Sequence, residues 1–216
     1  MNTFRTRRLA VTLAAAAVLP LALSACSDGD GGDPGTSDSP SKASAPRNGG
    51  GTGGDAAAMD QPFGPACSGV PKNGAGSFAG MAKDPVATAA SHNPALSTLV
   101  GAVREAGLVD TLNNARDITV FAPTDDAFKK IPKATLDQVL ADKDELTKIL
   151  THHVVGRKLT PGDLRAGSFE TLEKSRLRTS GSGESYTVAG ARVVCGDVRT
   201  ANATVYIIDT VLMPGN

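Results

Sequence analysis

Ile118-Thr119-Val120-Phe121-Ala122-Pro123-Thr124-Asp125-Asp126-Ala127-Phe128 changes character halfway, and the fold is read outward from that change. Residues 118–121 are β-branched or aromatic and favour a strand, which Pro123 stops because proline brings no donor to a ladder. Thr124 then stands where a hydroxyl caps a helix, with Asp125 and Asp126 in the first turn at the positive end of its dipole. Upstream, Asp84-Pro85 and Asn93-Pro94 each place a capping side chain before a proline at the first helical position. Leu96, Leu99, Val100 and Val103 then recur at helical spacing, and Gly107 can close that helix in a left-handed cap. Downstream, Thr135-Leu136-Asp137-Gln138 and Asp142-Lys143-Asp144-Glu145 read as two more helix starts, and Leu146, Ile149 and Leu150 form an apolar face. Thr160-Pro161 reads as one further short turn of helix. From residue 168 the pattern shifts to short strands at 186–188, 192–194 and 205–208, separated by Gly, Ser or Asn. The last of these is apolar at successive positions, which predicts a central strand covered on both faces. Helices first and strands later predict one α+β domain with one core.

Charge and composition narrow the function. The 216 residues hold 22 Lys plus Arg and 22 Asp plus Glu. Arg5, Arg7 and Arg8 lie at the amino terminus, residues 27–60 are acidic, and residues 61–216 are close to neutral. Such a domain lacks the clustered cations that nucleic acid requires, and with no Trp and 4% aromatics it offers few stacking platforms. Residues 9–25 carry no charge, and Leu23-Ser24-Ala25-Cys26 closes the stretch, the layout of a signal peptide with a bacterial lipobox. The reading is a lipoprotein signal over residues 1–26, with Cys26 acylated and retained as the first mature residue. The twin-arginine and general secretory routes are both compatible with it. Residues 27–60 hold nine Gly, six Asp and five Ser and no Val, Ile or Leu, so they read as a disordered linker. A flexible chain of that length spans about 30–35 Å r.m.s.. Residues 61–216 are then the folded domain with its amino-terminal extension. With Cys26 acylated, Cys67 and Cys195 remain, as one disulfide in an oxidising compartment or as two free, buried thiols.

TVFAPTDDAF at 119–128, ILTHHVV at 149–155 and ATVYIIDTVLMP at 203–214 resemble, in order and spacing, the signature segments of the fasciclin family. GPAC at 64–67, DPVATAAS at 84–91, VCG at 194–196 and TANATVYIIDTVLMP at 200–214 resemble the secreted and lipid-anchored immunogenic fasciclin proteins of mycobacteria. The resemblance implies a β-wedge of two small sheets with helices packed around it. It also implies a Cys67–Cys195 bridge and a non-enzymatic adhesion or matrix-binding role outside the cell. His152 stands where the family has Tyr, so contacts attributed to that Tyr do not carry over. His153 keeps its place, and the family implies that it is packed and hydrogen-bonded at a helix-to-strand junction. Asp197-Val198 aligns with an Asp-Ile pair credited with integrin binding in animal members, and reads as a carboxylate on a loop before an edge.

Nothing in the residues forms catalytic machinery. His92, His152 and His153 are the only histidines, and adjacent His152 and His153 do not readily share a metal. There is no G-x-S-x-G elbow and no correctly spaced dinucleotide loop. The expectation is therefore a binding module with no catalytic residue, metal or cofactor, with candidate binding residues Asp197, Val198 and His153. Its partner would be a protein or a cell-envelope or matrix component, met as a monomer, with the membrane contacted through the lipid alone. It would sit outside the cytoplasmic membrane on its anchor, or be shed. Two rivals are a small-molecule or lipid carrier, which needs an apolar cavity between helices and sheet, and a wall-acting hydrolase, which needs a cleft joining a carboxylate to His153.

Overall fold

The computed structural model describes residues 61–215. The expected signal peptide, Cys26 and the linker lie outside the described residues. Four helices come first, α1 (Phe78–Met81), α2 (Val86–Ser91), α3 (Ser97–Glu105) and α4 (Val109–Asn114), followed by strand β1 (Ile118–Pro123). Helices α5 (Asp125–Lys129), α6 (Lys133–Ala141) and α7 (Lys143–His152) come next. The chain ends in β2 (Val154–Val155), β3 (Ala166–Glu170), β4 (Arg176–Ser182), β5 (Ser185–Val188), β6 (Ala191–Arg199) and β7 (Ala203–Ile208). This is the expected α+β fold, with β1 set among the helices.

Several helix ends follow from local chemistry. The Thr124 hydroxyl accepts from the Ala127 N–H, Asn93 from Ala95, and Asp142 from Asp144 and Glu145. Gly107 has φ of 70°, its N–H donates to Arg104 and the Leu108 N–H donates to Val103, which together make a Schellman cap on α3. Two expected starts differ. Helix α2 begins after Pro85 rather than after Asp84, with no cap of its own. Helix α6 begins at Lys133 behind Pro132, so Thr135 lies inside its first turns and its capping box does not form.

The seven strands run in the order β2-β1-β7-β6-β5-β4-β3. The two small sheets expected are thus one hydrogen-bonded sheet. The cause is β6, long enough at nine residues to pair with β5 through Ala191 and Arg192 and with β7 through residues 193–199. Its register slips twice between Val193 and Val198, and such bulges bend a strand. The far ends of the order also meet, at a bridge between Val155 and Thr171, so the sheet folds over on itself. Strands β1 and β7 run parallel, each flanked by a strand on both sides, and are buried throughout, as expected for residues 205–208.

Their alternation divides two cores. Phe121, Tyr206 and Ile208 face inward with Leu159, Leu164, Leu177 and Val188 to fill the fold of the sheet. Val120, Ala122, Val205 and Ile207 face the helices. The amino-terminal extension is strapped onto β6: Phe63 and Gly196 exchange both backbone hydrogen bonds, and the Phe63 ring lies where a side chain at residue 196 would stand. A Cys67–Cys195 disulfide, 128 residues apart in sequence, fastens the strap.

Candidate functional site

Asp197 and Val198 lie within β6 rather than on an exposed loop. Asp197 is 3% exposed and Val198 2%. Asp197 has φ of 55° at the second register slip, a conformation that a short polar side chain tolerates, and its carboxylate lies 3.9 Å from the Arg199 guanidinium. The expected geometry of a carboxylate presented to a partner therefore does not occur; the bulge turns the side chain inward. His153 is buried and hydrogen-bonded at the junction of α7 and β2, as the resemblance implied. Its Nδ1 lies 2.7 Å from the Ile149 carbonyl, and Nε2 accepts from the Leu212 N–H at 2.9 Å, which fixes the neutral tautomer. Burial lowers its pKa to about 4, the charge of His152 adding to the effect against the Ile149 hydrogen bond. With both nitrogens engaged, His153 has no lone pair left for a substrate proton, and the hydrolase reading loses its base. His152 points elsewhere, with Nδ1 on the Ser175 hydroxyl at 2.5 Å. Among the described residues no group of three or more His, Cys, Asp or Glu is placed to hold a metal.

Asn202 is the polar residue on which the helical side is assembled. Its Oδ1 accepts from the Val86 N–H at 2.8 Å, supplying the cap that α2 lacks. Its Nδ2 donates to the carbonyls of Leu112 and Ala115, each at 2.8 Å, and reaches that of Asn113 at 3.2 Å, at the end of α4. Asn113 caps the next N–H, that of Ala87, at 3.0 Å. One carboxamide therefore ties the start of α2 and the end of α4 to the entrance of β7.

Between α2, α3 and α4 and the outer face of β1 and β7 is a cavity of about 310 Å³. Its helical wall includes Ala87, Ala89 and Ala90 of α2 and Leu99, Val100 and Val103 of α3; its sheet wall includes Val120, Ala122, Val205 and Ile207. Alanines are too short to fill the gap. The volume lies at the lower end of the range for small-molecule sites. Arg104 and Leu172 are exposed and belong to the lining, so the cavity opens to solvent beside them. Sequence reasoning named the cavity only as the requirement of a rival reading. Arg104 and Leu172 carry no motif, since chain segments distant in sequence bring them to one cavity.

The profile of the fasciclin domain matches residues 94–214. Cell surface glycolipoprotein MPB83 of Mycobacterium bovis is 51% identical over 146 residues, covering 65% of this chain and 66% of the relative. Immunogenic protein MPB70 of the same species is 45% identical over 166 residues, covering 73% of this chain and 85% of the relative. Among solved structures, a FAS1 domain pair from the insect cell adhesion molecule fasciclin I aligns with TM-score 0.48 and 24% identity, covering 55% of this chain and 45% of that one.

Proposed function

This chain belongs to the fasciclin family, and we propose that it is a non-enzymatic binding protein displayed outside the cytoplasmic membrane on a lipid attached to Cys26, its ligand site being the apolar cavity between helices and sheet. The cavity carries this reading. The walls of that gap are largely apolar and include three alanines of one helix, whereas the fold of the sheet next to it is packed with large side chains. Similarity to a cell surface glycolipoprotein and to an immunogenic protein supports placement outside the cytoplasm. Organic extraction and mass spectrometry of protein purified natively from its envelope tests the reading. The expected result is a small apolar molecule at about one per chain; a protein that yields none and takes up none when offered would overturn it.

A second reading, adhesion to a protein or envelope partner, is favoured by a separate surface. Strand β4 alternates, turning Arg176, Arg178 and Ser180 outward beside Ser168 and Glu170 of β3. This polar row replaces Asp197 and Val198 as the place where a macromolecule would meet the domain. Loss of partner binding on Arg176→Glu with Arg178→Glu, with the cavity ligand retained, is the result that this reading expects; undiminished binding counts against it.

A further inference from the structure

We propose that the occupant of the cavity is one acyl chain with an acidic head group, and that Arg104 receives the head; this rests on the reading that the cavity is the binding site. The walls are apolar, and 310 Å³ accommodates about ten methylene-sized groups if each needs roughly the 30 Å³ of a water in liquid. A chain of ten to twelve carbons would therefore fill it. Charge at the rim selects the head. The lining contains no Asp or Glu, and its only basic side chains are Arg104 and His153. His153 is committed on both nitrogens. Arg104 is exposed, makes no ion pair among the described residues, and sits in the last turn of α3, where the dipole favours a cation. A planar guanidinium at a pocket mouth matches a carboxylate or phosphate, whereas a neutral sterol or alkane leaves it unused.

Leu172 adds an independent sign. It is the one exposed large hydrophobic residue among the described residues, at 39%, and it lines this same cavity. An exposed greasy side chain and an exposed cation lining the same cavity describe an entrance for an amphiphile. Chemistry at the rim does not separate a free fatty acid from one chain of an acidic phospholipid, so the test does.

The test uses the full mature chain with Cys26→Ser, which needs no detergent, and calorimetric titration with dodecanoate and with dodecanol. Dodecanoate is expected to bind the more tightly, and Arg104→Gln to weaken it about three- to fivefold while leaving dodecanol unchanged. Val100→Phe, or Ala90→Leu on the facing helix, is expected to weaken both ligands at least tenfold without lowering the thermal midpoint. Incubation with vesicles, followed by gel filtration, assigns the source. Lipid carried off from phosphatidylglycerol but not phosphatidylcholine points to a diacyl lipid, and uptake of dodecanoate alone points to a free acid; either supports the acidic acyl class. Equal binding of dodecanoate and dodecanol with no effect of Arg104→Gln, or equal transfer from both vesicles, overturns the head-group assignment and leaves the cavity reading standing. If the wild-type chain binds neither ligand, or if both plugs fold and bind normally, the cavity reading falls with it.

Discussion

Asn202→Ala removes one half-buried side chain and breaks three short hydrogen bonds that join elements about 90 to 116 residues apart. The Val86 N–H and the Leu112 and Ala115 carbonyls lose their partner, and the shared contact to Asn113 goes with them. At about 1 kcal/mol each, with water reaching part of the site, the loss is about 3 kcal/mol, a large fraction of the 5–15 kcal/mol that stabilises a typical domain. Asn202→Asp sharpens the test. It keeps an acceptor for Val86 but sets an anionic oxygen against the α4 carbonyls, so it should destabilise at least as much as alanine. Equilibrium urea unfolding of the oxidised protein, followed by far-UV circular dichroism, reads both. With a slope of about 2 kcal/mol/M, Asn202→Ala should lower the midpoint by about 1.5 M. A shift of only a few tenths of a molar, or an Asn202→Asp protein as stable as the wild type, would show that Asn202 is an ordinary turn residue and that α2 needs no borrowed cap.

Reduction of Cys67–Cys195 should lower the urea midpoint, since the bridge closes 128 residues of separation and the chain-entropy ceiling for such a loop is about 5 kcal/mol; an unchanged midpoint in reductant would mean that the strap is held by Phe63 and Gly196 alone. His153 gives a pH dependence with a definite sign. Its folded pKa, about 4, lies below the ordinary 6.5, so the unfolded chain binds the extra proton between those values. Its contribution to stability is whole above pH 6.5 and is lost as pH falls towards 4, in total about 3 kcal/mol. His153→Gln should flatten unfolding midpoints measured between pH 7 and 5, and a wild-type profile already flat there contradicts the burial argument. Cys26→Ser should move the protein from the membrane fraction to the soluble one and remove the acyl mass; continued membrane attachment would disprove anchoring at that residue.

Readings from local chemistry held where the controlling atoms lie within one turn of each other. The Thr124, Asn93 and Asp142 caps and the left-handed Gly107 are of this kind, and so is the run of buried residues in β7. Where a distant residue supplies the missing partner, nothing local marks it. Helix α2 starts without a cap of its own because Asn202 and Asn113 satisfy its first N–H groups. The two-residue β2 is too short to carry a period, and β3, with Gly167 and Ser168 in it, has low strand propensity; both are strands through their partners. Asp197 shows the opposite failure. A carboxylate near Gly196 and Arg199 reads as surface, but two slips of register in β6 turn it inward. The disulfide was legible through parity and resemblance, since spacing alone does not bring residues 67 and 195 together.

The two cores share the same strands, and their contrast is the reason to regard the hollow as functional. On one face of β1 and β7, Phe121 and Tyr206 lie with ring centroids 5.9 Å apart, and the Tyr206 hydroxyl donates to the Leu159 carbonyl at 3.0 Å. The same backbone thus supports dense packing. On the other face, Val120, Ala122, Val205 and Ile207 meet the alanines of α2 across a gap. Nothing in the backbone requires small residues there: among Ala87, Ala89 and Ala90, two are half-buried and have room ahead of them. Filling such a gap is among the simplest ways to stabilise a protein, and its usual cost is borne by function. If the hollow were a packing defect, Ala90→Leu would raise the unfolding midpoint and change nothing else. If it is a site, the same substitution raises the midpoint of the empty protein but abolishes the further rise that ligand gives the wild type, because a ligand stabilises only the state that can hold it.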